Sequence, residues 1–579
     1  MALPLQWVSP GSLEVAYRRE LKNLLDGDVL GRLWRKDTSL WPHDESQDSN
    51  LSGNLGWLDL PERISPYMTR VVQRITALEP AGLEDFVFVC IRGANLAAET
   101  IAGLPLERRG KHFLVLDAID PASIRRVEKI VDLARTLFVF AAKSGKDIET
   151  HALLLYFLEK LKRDGIENPG SQFIAVTEEG SYLSQIARQY EFRDIFFDPP
   201  GISPRFSSVI HFGLLLSTLC RIHPSIIFSS VAAMRDACGP SAKTESNPAL
   251  ALGALLAAGA KEGWDRLAIL GTKSLAALTY RIAQLVGAST GKGGHGIIPI
   301  FGDVPMRPEV FQHRCIVTLL ALQGEEAAEG QQAVREIHQA NVPLLQIAME
   351  SPIDIAAELF KWEIATALAC ALLEIEPFLE PDTRESRDRT AEILESLATK
   401  QNMPAATVRV AEDGINLYAE GATRQEISTL NLTEALRTFF GLRHADGYVA
   451  ILAFLHRDPV METTLRRLGE QIALHLGIPA LPSFGPRYLH LMGQWYQAGP
   501  ARGLFLILTG EPFEDIAIPG ANYSFGQLQL ALALGDFESL VRHGRPVLRL
   551  HLTERQETGL PRLEAAVLQA LAKVRSSSR

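Results

Sequence analysis

Short, continuous apolar stretches alternate along the chain with longer segments whose apolar residues have helical spacing. The apolar stretches predict buried strands, and the segments between them predict helices. A first series of predicted strands occupies residues 86–90, 112–116, 136–141, 173–176 and 194–197. A second series occupies residues 267–270, 296–300, 315–320 and 342–347. Continuous apolar strands that alternate with helices indicate parallel sheets covered by helices on both faces.

The predicted fold class is α/β, with two tandem doubly wound domains and a further C-terminal α/β segment. Strands of that last segment are predicted at residues 408–419, 448–455, 504–509 and 547–552. A chain of 579 residues is long enough for several cores, since single cores rarely grow beyond about 250–300 residues. We expect an N-terminal helical segment at 1–60, domains at 61–240 and 241–400, and the C-terminal segment at 401–579.

Composition excludes several classes of function. Hydrophobic residues make up 47% and charged residues 22% of the chain, as in soluble globular proteins. A net charge of -10 without a long basic run argues against nucleic-acid or membrane-surface binding. The five cysteines lack CxxC spacing, so neither a disulfide framework nor a zinc site is expected. We find no signal peptide or membrane span in the sequence and expect a cytoplasmic protein.

Residues 142–150, Ala-Lys-Ser-Gly-Lys-Asp-Ile-Glu-Thr, carry the clearest chemical signal. They follow a predicted strand and lead into a predicted helix. A Lys-Ser-Gly turn at a helix N-terminus offers backbone N–H groups, the positive end of the helix dipole and side-chain donors to one oxyanion, and we expect that oxyanion to be a phosphate. Ligands of parallel sheets lie beyond the carboxyl ends of the strands. We therefore expect this loop and residues 90–95, which also follow a strand, to form the walls of one site.

The 142–150 loop resembles the Ser-Lys-Ser-Gly-Thr-Thr-x-Glu-Thr phosphate loop of glucose-6-phosphate isomerases. Other similar blocks are residues 56–61, 113–121, 247–250, 289–292, 362–367, 484–490 and 523–526. The resemblance runs from about residue 29 to 552 and is greatest to the isomerase half of transaldolase–isomerase fusions. It implies two sugar isomerase domains that enclose a site for glucose 6-phosphate and fructose 6-phosphate. It also implies a possible homodimer and no metal or organic cofactor.

The resemblance assigns phosphate and substrate binding to the two loops. The residues concerned are Arg92, Gly93, Lys143, Ser144, Lys146 and Thr150. Several positions depart from the family pattern: Ala94 and Ala142 replace serines, and Asp147 replaces a threonine. Arg92 and Lys146 could provide charge-assisted donors instead of hydroxyl groups, whereas Asp147 would repel a phosphate.

The catalytic positions are also altered. The family glutamate that moves the proton corresponds to Ala288, and loss of a general base typically costs about 100- to 10,000-fold in rate. Arg205 matches the arginine that stabilises the enediol, and Arg387 stands near the position of a family lysine. His490 could act on the ring oxygen, and His295 is an alternative base. Arg205, Arg387 and His490 also have a plain structural reading, as surface ion-pair or packing residues. The glycine-rich loop around His295 would not fix that side chain as tightly as the reaction requires.

Three interpretations stay open at this point. The chain is an isomerase with a replacement base, a sugar-phosphate-binding or regulatory homologue without turnover, or a structural partner of an active isomerase. Ala288, Ala94, Ala142 and Asp147 favour the second and third, and the similarity along most of the chain keeps the first.

Overall fold

The computed structural model describes residues 3–42, 51–77, 82–91, 112–199, 201–206, 215, 217–219, 223–301, 314–325, 328–400, 403, 407–428 and 431–576. The chain divides into two compact units. The first comprises Met1–Val115, Ile130–Lys292 and Gly296–Leu379, and the second comprises Leu116–Lys129, Gly293–His295 and Glu380–Arg579.

The strands, in chain order, are Leu5–Ser9 (β1), Asp85–Val89 (β2), Phe113–Leu116 (β3), Thr136–Ala141 (β4), Phe173–Thr177 (β5), Asp194–Phe197 (β6), Arg266–Gly271 (β7), Ile298–Phe301 (β8), Cys315–Leu322 (β9), Leu344–Met349 (β10), Val410–Glu412 (β11), Ile415–Ala419 (β12), Tyr448–Phe454 (β13), Ala480–Phe484 (β14), Gly503–Gly510 (β15) and Val547–Leu552 (β16). The helices are Glu14–Asp26 (α1), Val29–Trp34 (α2), Leu60–Arg63 (α3), Ser65–Thr76 (α4), Pro121–Ile130 (α5), Ile148–Arg163 (α6), Tyr182–Gln189 (α7), Pro224–Ala237 (α8), Pro248–Lys261 (α9), Ala276–Thr290 (α10), Ala328–Gln339 (α11), Asp354–Leu372 (α12), Thr383–Lys400 (α13), Gly421–Glu426 (α14), Leu432–Gly441 (α15), Pro459–Leu476 (α16), Gln494–Ala498 (α17), Phe525–Arg542 (α18) and Gln556–Ser576 (α19).

Two sheets belong to the first unit. One has the strand order β3-β2-β4-β5-β6, and its pairs β2–β4, β4–β5 and β5–β6 are parallel. The other has the order β1-β10-β9-β7-β8 and is parallel except for β1, which runs antiparallel to β10. Strands β2, β4 and β5 are buried along their whole length. These uninterrupted apolar strands require cover on both faces, as the sequence predicts.

Helix α12 is surrounded by other helices of the first unit. Its residues are buried from Asp354 to Cys370 except for Ala356, including the charged residues Glu358 and Lys361. A helix without an exposed face must be surrounded by other elements, and α12 packs against α8, α9 and α10. Trp41 donates a hydrogen bond from Nε1 to the carbonyl of Ala367 in this helix at 3.2 Å. The N-terminal segment therefore packs on the core of the first unit.

The second unit contains a sheet of order β11-β12-β16-β15-β13-β14, parallel from β16 to β14. The predicted strand 408–419 is a hairpin of β11 and β12, because Asp413 and Gly414 both have positive φ. In the same unit Asp117 accepts a hydrogen bond from Arg487 at 2.5 Å, and Asp120 pairs with His456 Nδ1 at 2.8 Å. The predicted α/β class with parallel sheets is confirmed. The domain boundaries at 60, 240 and 400 stay predictions.

Candidate functional site

The loop of residues 142–147 joins the buried strand β4 to α6. Gly145 has φ +69°, and a Cβ atom there would clash with Cβ of Leu183. Only glycine fits such a close approach without strain. The backbone N–H of Lys146 donates to Ser144 Oγ at 3.3 Å. The turn is therefore fixed by its own sequence in front of the helix N-terminus.

The side chains of this loop divide into exposed and buried groups. Ser144 and Lys146 are exposed, whereas Asp147 and Thr150 are buried. Lys143 is half-buried and donates to the carbonyl of Ile202 at 2.8 Å, and its ammonium also lies 2.9 Å from Glu178 Oε1. Lys143 thus connects the loop to residues 178 and 202. Its charge is already paired with that of Glu178. Ser144 and Lys146 are the predicted residues of this loop that face solvent.

Arg92 and Gly93, predicted in the other loop, lie outside the described residues. Their roles stay predictions. The last described residue before them is Ile91, which is buried directly after β2.

Arg205 lies in a short 3-10 turn, Pro204–Phe206, and its side chain is buried. Its Nη2 donates to the carbonyls of Pro377 at 2.8 Å and Leu379 at 3.3 Å. Its own backbone carbonyl accepts a hydrogen bond from Nη2 of Arg281 at 2.6 Å. The guanidinium therefore connects its turn to residues 377–379, while Arg281 of α10 holds the turn from the other side.

Ala288 lies near the end of α10 and is 1% exposed. Arg281 precedes it by two helical turns and Gln284 by about one turn, so the three residues share one face of the helix. Because Arg281 contacts Arg205, this face is directed toward the Arg205 turn. The methyl group of Ala288 offers no proton acceptor there.

An ion pair that the sequence did not suggest lies just beyond the end of α10. Lys292 Nζ is 3.2 Å from Glu376 Oε2 and also donates to the backbone carbonyl of Glu376. Each side chain is 14% exposed. The Glu376 carboxylate accepts further hydrogen bonds from the backbone N–H of Phe378 at 2.6 Å and of Leu379 at 2.9 Å. Arg205 and Lys292 thus bind the same short segment, 376–379.

Burial and neighbouring charges shift the pKa of Lys292 and of the nearby Cys370 thiol. Burial lowers the pKa of Lys292, and the positive charge of Arg205 acts in the same direction, whereas Glu376 opposes both. Burial raises the pKa of the Cys370 thiol to about 12. Cys370 Sγ lies 3.7 Å from the carbonyl of Ser289, next to Ala288. Lys292, Glu376 and Arg205 also act electrostatically on this thiol.

Lys292 and Glu376 stand in segments that the sequence had marked only for other reasons. Lys292 ends the Ser-Thr-Gly-Lys block, and Glu376 lies in the segment 375–387, which the sequence analysis considered only for Arg387. Their pairing joins residues 84 positions apart. In the sequence, Glu376 is a polar residue before a proline in a connecting segment, and nothing at that position indicates Lys292 as its partner.

The other predicted catalytic residues belong to the second unit. His490 is buried in a π-helical turn, Leu489–Gly493, a rare element that is frequent at functional sites. Arg387 is half-buried on α13 and donates to Thr383 Oγ1 at 3.4 Å. His295 is exposed and follows two glycines with positive φ.

Within the described part of the chain, no group of three or more His, Cys, Asp or Glu side chains could hold a metal ion. Among the same residues, no helix is long and apolar enough to cross a membrane.

Comparisons with known proteins identify several relatives. No protein-family model matches the chain. A probable glucose-6-phosphate isomerase from Haloarcula marismortui is 24% identical over 355 residues, which cover 55% of this chain and 80% of the relative. A glucose-6-phosphate isomerase from Thermus thermophilus is 31% identical over 161 residues, 28% of this chain and 38% of the relative. Among solved structures, a hypothetical protein from Thermus thermophilus matches with a TM-score of 0.58 and 19% identity, covering 67% of this chain and 99% of that chain.

Proposed function

We propose that this chain, which is similar to glucose-6-phosphate isomerases, binds a sugar phosphate, glucose 6-phosphate or fructose 6-phosphate, in its first unit. The phosphate is expected at the 142–147 loop, in front of α6. The observation that carries the proposal is the combination of a glycine-dependent turn at Gly145 with exposed donors at Ser144 and Lys146.

The physical basis of the binding is local. The first backbone N–H groups of α6 have no partner within the helix, and the 16-residue helix places the positive end of its dipole at this loop. A hydroxyl at Ser144 and an ammonium at Lys146 add a neutral and a charged donor. Since the net charge of the chain is -10, these local donors must outweigh a mildly repulsive overall field.

Isomerisation requires more than binding, because a base must move a proton between neighbouring carbons of the open sugar. Ala288 cannot do this, because its methyl group accepts no proton. Turnover therefore depends on a base outside the family position. A second candidate function, a sugar-phosphate-binding homologue without turnover, is favoured by the buried methyl group at Ala288.

Calorimetric titration of the full chain with fructose 6-phosphate and, separately, with inorganic phosphate tests the binding proposal. Lys146→Met should weaken binding of both about 10-fold or more, since a charge-assisted hydrogen bond is worth about 1.5–3 kcal/mol. Lys162→Met, an exposed lysine near the other end of α6, is the matched control and should bind as the unmodified chain does. Absence of binding by the unmodified chain, or equal effects of the two variants, would overturn the proposed site.

A further inference from the structure

We propose that Glu376, held by Lys292, is the general base that replaces the missing carboxylate at position 288. This inference rests on the proposed function, because it concerns the same sugar-phosphate site. It identifies a proton carrier that neither the sequence pattern nor the similarity to known isomerases indicates.

The placement of Glu376 is the first argument. Lys292 is two residues beyond the end of α10, the helix that carries Ala288, and its ammonium reaches Glu376 Oε2 at 3.2 Å. Arg205 donates to the carbonyls of Pro377 and Leu379, immediately after Glu376 in the chain. The carboxylate therefore stands between the end of the Ala288 helix and the arginine that the family uses for the enediol.

The carboxylate of Glu376 also keeps the capacity to accept a proton. A carboxylate offers about four lone-pair sites. In the described structure Oε2 accepts from Lys292 and from the N–H of Leu379, and Oε1 accepts from the N–H of Phe378. One site on Oε1 is left by these contacts. The side chain also keeps 14% of its surface exposed, so a ligand can approach it.

The charges around Glu376 suit the proton transfer that isomerisation requires. When Glu376 removes the proton from C2 of the open-chain aldose, the C–H electron pair forms the C1–C2 double bond and the carbonyl oxygen at C1 takes up the negative charge, which gives an enediolate. The C2 hydroxyl then passes its proton to the C1 oxygen, the protonated Glu376 returns the carbon-bound proton to C1, and the C2 carbonyl of the ketose forms without any net oxidation or reduction. Two cations, Lys292 and Arg205, are directed at the same segment and are suited to stabilise the transient negative charge.

Proton exchange provides the most direct test, because it detects enediol formation even where turnover is slow. Full-length protein is incubated with fructose 6-phosphate in D2O, and incorporation of deuterium at C1 is followed by NMR. We expect exchange by the unmodified chain and a fall of about 100-fold or more in Glu376→Gln. Glu376→Asp should keep a measurable part of the rate, and Ala288→Glu in the Glu376→Gln background should restore some exchange.

Glu374→Gln is the matched control, since Glu374 is exposed and only two residues away. It removes the same charge and should leave exchange unchanged. Thermal melting and phosphate titration of each variant report whether Glu376→Gln remains folded and binds.

Binding without any exchange by the unmodified chain would overturn Glu376 as base while leaving sugar-phosphate binding intact. Absence of binding would overturn both proposals. Equal loss of exchange in Glu374→Gln and Glu376→Gln would also contradict a specific role for Glu376. If Glu376→Gln does not fold, exchange by Glu376→Asp no slower than that of the unmodified chain would count against the proposal.

Discussion

Two lysine–glutamate pairs in the first unit have the same chemistry and different surroundings. Glu358 and Lys361 lie one turn apart on α12, with side chains that are 0% exposed and charged groups 2.8 Å apart. Lys292 and Glu376 come from separate segments, keep 14% exposure each and also contact backbone groups. The first pair is sealed in the core, whereas the second keeps part of its surface exposed. Burial, more than residue type, therefore separates a structural ion pair from a candidate catalytic one.

The sealed pair is also the more vulnerable to a single substitution. Glu358 accepts a hydrogen bond from Trp362 Nε1 at 2.8 Å and otherwise depends on Lys361 for charge compensation. Removing one ion of a buried pair leaves an uncompensated charge at low dielectric, whereas removing both can be nearly neutral. In the Lys292–Glu376 pair the carboxylate has backbone N–H groups as additional partners, so this pair should tolerate the loss of its lysine much better.

The largest effect is expected at Lys361. Lys361→Met should lower the free energy of unfolding by about 3–5 kcal/mol, because it strands the Glu358 carboxylate. Adding Glu358→Gln should restore most of this loss, since the amide keeps an acceptor for Trp362 and carries no charge. Urea unfolding followed by tryptophan fluorescence measures both variants. A double variant as unstable as the single one would show that packing, not charge, decides the cost.

A smaller effect is expected for Lys292→Met. Burial lowers the pKa of Lys292, so the folded state disfavours its charge, and the unfolding free energy should change by no more than about 1 kcal/mol at neutral pH. Between the folded pKa and the ordinary value of 10.5, the unfolded chain binds more protons than the folded one. Stability should therefore rise with pH in that window, and Lys292→Met should remove this rise. A loss as large as that of Lys361→Met would contradict the difference between the pairs.

The sequence predicted the sheets well where strands are buried on both faces, because their apolar runs are uninterrupted. Of the strands in the described residues, two were not predicted. Leu5–Ser9 is a partly exposed edge strand whose partner β10 is more than three hundred residues away, and Ala480–Phe484 contains Pro482. Proline is tolerated on an edge strand such as β14. The Asp413–Gly414 turn that splits the predicted strand 408–419 was readable, since Asp-Gly favours tight hairpins.

The candidate site was predictable only where its residues are adjacent in the chain. The 142–150 loop carries its own turn and helix-start signals, so its local geometry follows from the sequence. The segment 376–379 is different, because its candidate role depends on contacts with Lys292 and Arg205, which are distant in sequence. No periodicity or spacing encodes such contacts, which arise when α10, the Arg205 turn and the end of α12 pack together.

The smallest effect is expected in the alkylation rates of Cys238 and Cys370, the thiols that lie near the two pairs. Lys361 and Glu358 act electrostatically on Cys238, and Lys292 and Glu376 act on Cys370. Burial raises the pKa of both thiols to about 12, so at pH 8 about one in 10,000 would be ionised and alkylation depends on local opening. Glu376→Gln weakens the segment that follows Ile375, whose N–H donates to the carbonyl of Cys370.

Loss of about 1 kcal/mol of local hydrogen bonding should make alkylation of Cys370 roughly fivefold faster in Glu376→Gln. Alkylation of Cys238, beside the sealed pair, should be unchanged. Mass spectrometry of peptides from the native protein after timed treatment with iodoacetamide distinguishes the two sites. An equal acceleration at both cysteines would mean that Glu376 stabilises the whole unit. It would then resemble the sealed pair in being structural, and the distinction between the two pairs would be lost.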